Sequence, residues 1–329
     1  MPDPRLGRAF AAALAVLLAA LSTAAPRAQD SRDTAFDLTR LNPSARSAAL
    51  AGATDAVEAG RDPAALYSNP ARLGADAEGV LALGYLDHLA GVRAGFATYA
   101  RALPRVGRVA LGVRYLSYGE LDGVDGSGAE TGTFGAGEAA VTLSASRDVS
   151  ERLRVGASAH ALFASIAEAD AQALAADVGA VYSIPSQLLT VSASVRGVGA
   201  VVSSLGEADD RLPLDVRVGV AKRLRYLPLT LTVAGFDLQS VGAAEGEAFL
   251  DEAVRHVGAG GELQLGKALA LRLGYEPARR EALRSGGRLD LAGVTAGFGL
   301  DTRRVALDYA YGAWSDYGGL HQFGVRVGL

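Results

Sequence analysis

From about Gly79 to the last residue, apolar and polar side chains alternate with a period of two. In the final stretch His321, Phe323, Val325, Val327 and Leu329 share one side, and Gln322, Gly324, Arg326 and Gly328 the other. Leu111, Val113 and Tyr115 stand against Gly112 and Arg114 in the same way, and Leu269, Leu271, Leu273 and Tyr275 against Arg272 and Glu276. Side chains of a β-strand point to opposite faces in turn, so this pattern predicts strands with one apolar and one small or polar face. Fourteen segments fit, near 79–86, 91–100, 106–118, 134–147, 153–166, 174–183, 188–198, 213–222, 229–238, 253–265, 268–276, 289–300, 303–311 and 320–329. Most run 8–13 residues. A strand in a globular protein averages roughly 5–6 residues, whereas a tilted membrane-spanning strand needs about 9–11.

The connections sort by order. Even-numbered ones are mostly tight or basic: "RALPR", "DVSER", "IPSQ", "KRLRYLP", "GKA", "DTRR". Odd-numbered ones, apart from a short first one around Asp87-His88, are long and polar: "GELDGVDGSGAETG", "AEADAQA", "GAVVSSLGEADDR", "QSVGAAEGEAFLDE", "PARREALRSGGR", "GAWSDYGG". Short turns on one rim and long loops on the other are the layout of outer-membrane barrels. In hydrocarbon every backbone N–H and C=O must find an internal partner, so strands cross only as a closed ring without edges. The expected fold is therefore all-β: a transmembrane antiparallel β-barrel of about 14 strands over residues 78–329, its apolar face toward lipid and a small, polar face toward the lumen. A soluble β-sandwich is the competing architecture. The aromatic residues of an interfacial girdle would be Tyr85, Tyr115, Tyr118, Tyr275, Tyr309, Tyr311 and Trp314.

Composition narrows the classes. The chain has 329 residues, 41 of them glycine, and no cysteine, which excludes disulfides, zinc ribbons and thiol chemistry. A net charge of −4 without a basic tract argues against nucleic acid. Residues 1–28 read as a signal peptide: Arg5 and Arg8, then an apolar run from Ala9 to Leu21, then small residues with cleavage between Ala24 and Gln29. The apolar run is too short to span a bilayer as a helix. His88, His160, His256 and His321 lie on separate segments with no metal-ligand spacing, and no nucleophile elbow or phosphate loop appears. The sequence therefore points to no enzyme, no cofactor and no metal. Asp122, Asp125 and Glu130 resemble a calcium loop only loosely, since their spacing departs from that motif; an acidic hairpin loop is the plainer reading.

Residues 29–77 do not alternate. "NPSARSAALAGA" and "DPAALYSNPARL" are alanine-rich, helix-compatible pieces broken at Asn69-Pro70. These stretches resemble the PorV/PorQ family of FadL-like outer-membrane barrels, whose members carry an Arg-containing small-residue stretch and then an Asn-Pro-Ala element before strand one. The matching residues are Arg46, Asn69 and Pro70. "YLSYGELDGVDGSGAETGTFGAGE", "LPLDVRVGVAKRLRYLPLTLTVAGFDLQ" and "VRHVGAGGELQLGKALALRLGYEPARREAL" are similar to later strands of the PorQ branch. The resemblance implies an outer-membrane protein of the type IX secretion system, whose partners are a PorZ-like surface protein, other attachment-complex proteins and lipopolysaccharide. It also implies that residues 29–77 fold back as a plug or periplasmic cap; a trailing periplasmic tail is the alternative. A lumen of fourteen strands is too wide for its own side chains, since about eight strands suffice for that. Arg46 and Asn69 are expected to meet lumen residues such as Arg114, Glu138, Asp177, Arg272 or Glu276. Surface contacts would come from Asp122, Asp125, Glu130, Arg279, Arg280 and Arg284. The alternative function is a FadL-like transporter of hydrophobic small molecules, which needs an apolar lumen path and a plug able to move; a lipid-modifying enzyme is a third and weaker option.

Overall fold

The structure is a computed structural model that describes residues 36–41, 43–88, 91–124, 126–205, 210–242, 249–283, 291–302, 304–314 and 318–329. The expected signal peptide, Asp125 and Arg284 lie outside the described residues. The fourteen strands are β1 (Val80–Asp87), β2 (Arg93–Leu103), β3 (Gly107–Val124), β4 (Glu130–Asp148), β5 (Leu153–Ile166), β6 (Ala169–Ile184), β7 (Leu189–Ser203), β8 (Asp215–Arg223), β9 (Leu229–Gly235), β10 (Val257–Leu265), β11 (Leu269–Tyr275), β12 (Val294–Asp301), β13 (Val305–Ala313) and β14 (Gly319–Gly328). Each pairs antiparallel with its sequence neighbours, and β1 closes the ring on β14 from Val80↔Gly328 to Asp87↔His321. Closure leaves no edge, the condition for strands in hydrocarbon.

The two faces follow the alternation. Leu83, Leu111, Leu143, Leu174, Leu273, Phe298 and Phe323 stand exposed on the outside. Thr98, Arg114, Thr142, Asp177, Arg272, Asp308 and Arg326 are buried inside. Among the described residues no helix is long and apolar enough to cross a membrane.

Two expectations about loops and girdle need correction. "AEADAQA" is not a long loop: β5 runs to Ile166 and β6 starts at Ala169, so the strands themselves extend past the barrel body. Most of "GELDGVDGSGAETG" is likewise strand, in β3 and β4. Tyr85, Tyr115 and Tyr275 face outward, but Tyr118 turns in and donates to the Glu138 carboxylate at 2.7 Å. Trp314 also turns in, over Arg279.

Strand length divides the barrel. β3 to β7 have 14–19 residues and extend toward the rim of the long odd-numbered connections, called the outer rim from here on, whereas β8 to β14 have 7–10. The outer ends of β9–β10 and β11–β12 carry short helices instead, α2 (Phe249–Arg255) and α3 (Pro277–Leu283). A first helix, α1 (Ala45–Ala49), precedes the barrel and lies within it.

Candidate functional site

The lumen is filled by the residues that precede β1. Five-residue α1 is too short to hold together alone. It stops at Ala51 and Gly52, both with positive φ (52° and 73°). What fixes it is the wall around it. Inward hydroxyls and one amide donate to carbonyls of the segment: Thr295 to Ala49 at 3.0 Å, Thr232 to Ala53 at 2.6 Å, Ser146 to Leu73 at 2.6 Å and Gln322 to Pro43 at 2.6 Å. Such bonds replace water for backbone groups that would otherwise be buried and unmet. Inside the plug, Arg72 donates to the Val57 carbonyl at 3.0 Å and to the hydroxyls of Thr54 and Ser68. Burial pushes the Arg72 guanidinium down to about 10, still a cation at neutral pH.

The Asn-Pro-Ala element is a cap and a contact at once. The Asn69 side-chain oxygen accepts from Ala71 N–H at 2.9 Å, with Pro70 supplying the first turn. Its amide nitrogen donates to wall carbonyls of Ala180 (3.4 Å) and Ala193 (3.3 Å). The wall is glycine where this element touches it. A Cβ on Gly179 would lie 2.1 Å from the Asn69 oxygen, and one on Gly156 would lie 2.4 Å from the Pro70 carbonyl carbon. Gly274 and Gly297 make the same room for Ala51 and Ala49.

Arg46 meets a lumen-facing polar residue, though none of the five named as examples. Its guanidinium pairs with Glu262 of β10 at 2.7 and 2.8 Å and donates to the Glu58 and Ala59 carbonyls. Burial alone would lower its pKa; the Glu262 carboxylate overrides that and holds it above the ordinary arginine value. From Glu262 the ion pairs continue along the wall. Arg272 of β11 reaches Glu262 at 2.7 Å and Asp308 of β13 at 2.6 Å, and Arg326 of β14 reaches Asp308 at 2.8 Å. Three guanidiniums and two carboxylates thus form one chain, buried at Arg272, Asp308 and Arg326 and partly exposed at Arg46 and Glu262, joining the plug to four strands.

The opposite sector is built differently. On β3 to β6 the inward residues Leu116, Ala140, Leu162, Ala164, Ala171 and Ala173 form an apolar cluster with Leu212. Phe36 and Leu38, at 2% and 3% exposure, fill it. This overturns the expectation of a lumen that is small and polar throughout. Around the cluster, polar side chains grip only the backbone of the inserted segment. Glu138 accepts from Leu38 N–H at 2.8 Å, Arg114 donates to the Leu38 carbonyl at 3.2 Å, and Arg196 donates to the Thr39 carbonyl at 2.9 Å. Arg114 also stacks on the Tyr67 ring, 4.5 Å from its centroid.

Two open volumes flank the plug. Toward the outer rim lies a vestibule of about 300 Å³, with Arg40, Arg217, Glu276, Phe236 and Trp314 on its walls. Toward the other rim lies a bay of about 1060 Å³ that reaches Arg46 and Glu262. Between them Ala49, Leu50, Ala53, Leu66 and Leu73 have no exposed surface.

The expected surface contacts separate. Asp122 and Glu130 lie on the projecting ends of β3 and β4. Arg280 is on α3. Arg279, on the same helix, turns into the vestibule, pairing with Glu276 at 2.8 Å. Sequence reading missed Phe36, Leu38, Glu262, Asp308 and Arg326. Arg326 and Asp308 occupy inward positions of alternating strands, a signal that was available; nothing local marks Phe36 or Leu38.

No family model matches this sequence, and no curated protein matches it. Solved structures do. The Pseudomonas putida toluene transporter TodX is 14% identical, with a TM-score of 0.57 over 87% of this chain and 97% of that one. The CymD monoaromatic hydrocarbon channel is 14% identical, with a TM-score of 0.53 over 89% and 97%. A Pseudomonas aeruginosa FadL homologue is 11% identical, with a TM-score of 0.49 over 88% and 98%. At such identities the likeness concerns the fold alone: this chain is a closed fourteen-strand antiparallel barrel similar in fold to TodX and CymD.

Proposed function

We propose that the protein is an outer-membrane channel for small hydrophobic molecules, and that residues 36–41 occupy its outer chamber when no guest is present. One observation carries this reading: the β3–β6 sector offers an apolar pocket inside a barrel, and Phe36 and Leu38 of the chain itself fill it. A scaffold has no need of an apolar pocket in its lumen; a route for apolar guests does. The segment is held there by its own side chains and by hydrogen bonds between its backbone and Glu138, Arg114 and Arg196, contacts that a competing guest replaces in kind. Phe36 itself places a benzyl ring in the chamber, so a single-ring hydrocarbon is the size that fits. The likeness to TodX and CymD supports the same class of guest. Exit runs past Arg46 into the large bay, which requires the plug to shift.

Uptake into vesicles holding the purified barrel tests this. Labelled toluene is expected to enter faster than into protein-free vesicles, and a Phe36→Asp/Leu38→Asp variant is expected to change that rate. Equal rates with and without the protein would sink the proposal.

A second reading keeps the surface-anchoring role that the PorV/PorQ resemblance implies, with a PorZ-like partner and lipopolysaccharide. The observation on its side is α2 at the outer rim, where Phe249, Leu250 and Val254 are 65%, 74% and 53% exposed. Recovery of one stoichiometric surface protein on the purified barrel, together with no toluene uptake, would favour it.

A further inference from the structure

The two rims carry opposite charge. Among the described residues, the six turns on the rim of the chain ends (within 101–108, 147–154, 185–188, 222–228, 266–268 and 301–304) contain eleven Lys/Arg and three Asp/Glu. Among the described residues, the seven connections of the other rim (within 87–93, 119–131, 165–171, 204–214, 236–256, 276–293 and 314–318) contain twelve Asp/Glu and five Lys/Arg. Neither barrel closure nor plug contact requires this division.

Position sharpens the point. Arg101, Arg147 and Lys222 are not on turn tips alone. They continue the outward-facing rows of β2, β4 and β8, below Tyr99, below Leu143 and below Val220. An exposed base at the foot of an apolar row stands where hydrocarbon gives way to headgroups, with its aliphatic stem along the apolar surface. Between the bases lie apolar side chains with no folded neighbour to bury them: Val106 (49% exposed), Val149 (61%), Leu227 (57%) and Tyr226 (91%). A tyrosine so exposed beside Arg225 on a tight turn suits the interface of a membrane. Part of the charge is already used, since Arg108 and Arg154 both reach Asp148, at 2.5 and 2.7 Å. Lys222 donates to the Gln187 carbonyl but keeps its charge on the exposed face, where Arg101, Arg105 and Arg225 also lie.

We infer that this basic rim, with its interleaved apolar side chains, binds the phosphates of anionic phospholipid in the leaflet it meets, while the acidic rim does not. Charge complementarity selects the headgroup, and the apolar residues select a lipid over a soluble phosphate. The inference shares with the proposed function only the membrane-spanning barrel. It stands whether or not the lumen passes a guest.

The test uses the full barrel in neutral detergent, titrated with dioleoyl phosphatidylglycerol or dioleoyl phosphatidylcholine, with retained lipid read by native mass spectrometry. Phosphatidylglycerol is expected to be retained about tenfold better, and that preference is expected to fall with added salt. An Arg101→Gln/Arg105→Gln/Lys222→Gln/Arg225→Gln variant is expected to lose the preference, and an Arg280→Gln variant on the other rim to keep it. Equal retention of the two lipids, or a preference that persists in the quadruple variant, would overturn the inference. So would a wild-type preference that inorganic phosphate abolishes at the concentration of the lipid. Should the quadruple variant fail to refold, the salt and phosphate titrations on the unaltered chain still decide.

Discussion

The β3–β6 sector and the β10–β14 sector hold the same plug by opposite means. In the first, an apolar pocket takes Phe36 and Leu38, and hydrogen bonds go only to their backbone. In the second, Arg46 enters a chain of five charged groups through its side chain, of which Arg272, Asp308 and Arg326 are buried and Arg46 and Glu262 partly so. Apolar burial is non-directional, so another apolar body of similar size can substitute for it. An ion chain is specific: a buried charge left without its partner is costly, and few molecules supply a guanidinium at that point. The difference separates a replaceable part of the plug from a latched part. On this view residues 36–41 exchange with guests while α1 stays, until Arg46 is released.

The comparison breaks most decisively at Asp308. Asp308→Ala leaves Arg272 and Arg326 facing each other across the interior with Glu262 alone to balance them and Arg46. Removing one partner of a buried ion pair costs about 3–5 kcal/mol. The urea midpoint of the refolded barrel, read by heat-modifiable gel mobility, is expected to drop accordingly. An unchanged midpoint would mean that the chain of charges is bathed in water and latches nothing.

The apolar sector is expected to answer differently. Phe36→Asp/Leu38→Asp places two carboxylates in a pocket of leucine and alanine, and the segment leaves it. Because the segment precedes the barrel and opens locally, the urea midpoint is expected to move by less than for Asp308→Ala. Cleavage between residues 36 and 41 by added protease, from the outer side of reconstituted vesicles, is expected to rise. A global loss of stability without new cleavage would place both sectors in one cooperative unit.

How much of this the sequence disclosed depends on the face. All fourteen strands were legible because outward residues such as Leu111, Val113 and Tyr115 alternate against Gly112 and Arg114. The same reading failed inside β3–β6. There Leu116, Ala140, Leu162 and Ala164 point inward while neighbours such as Val141 and Phe163 point outward. With both faces apolar, period two no longer says which one meets lipid. Arg46 was conspicuous, but its partner Glu262 lies 216 residues away, and only the closed ring brings β10 to it. Asn69-Pro70-Ala71 was readable as a cap, since a cap is local; that Gly156 and Gly179 are its seat was not.

Asn69 offers the finest test, because it meets the wall of β6 and β7 through neither the apolar pocket nor the ion chain. Asn69→Ala removes the cap on Ala71 and the two bonds to β6 and β7, and it empties the niche against Gly179. A lost N-cap costs roughly 0.5–2 kcal/mol, less than a broken ion chain. Gly179→Ala attacks the same contact from the wall, pushing a Cβ into the Asn69 amide. If the niche is one close fit, the double variant is expected to be less destabilised than the two single costs added, since the shortened side chain of Asn69→Ala leaves room for a methyl on the wall. Strict additivity in urea midpoints would instead show that Gly179 serves the strand and not the plug. The plug would then be held by its two sectors alone.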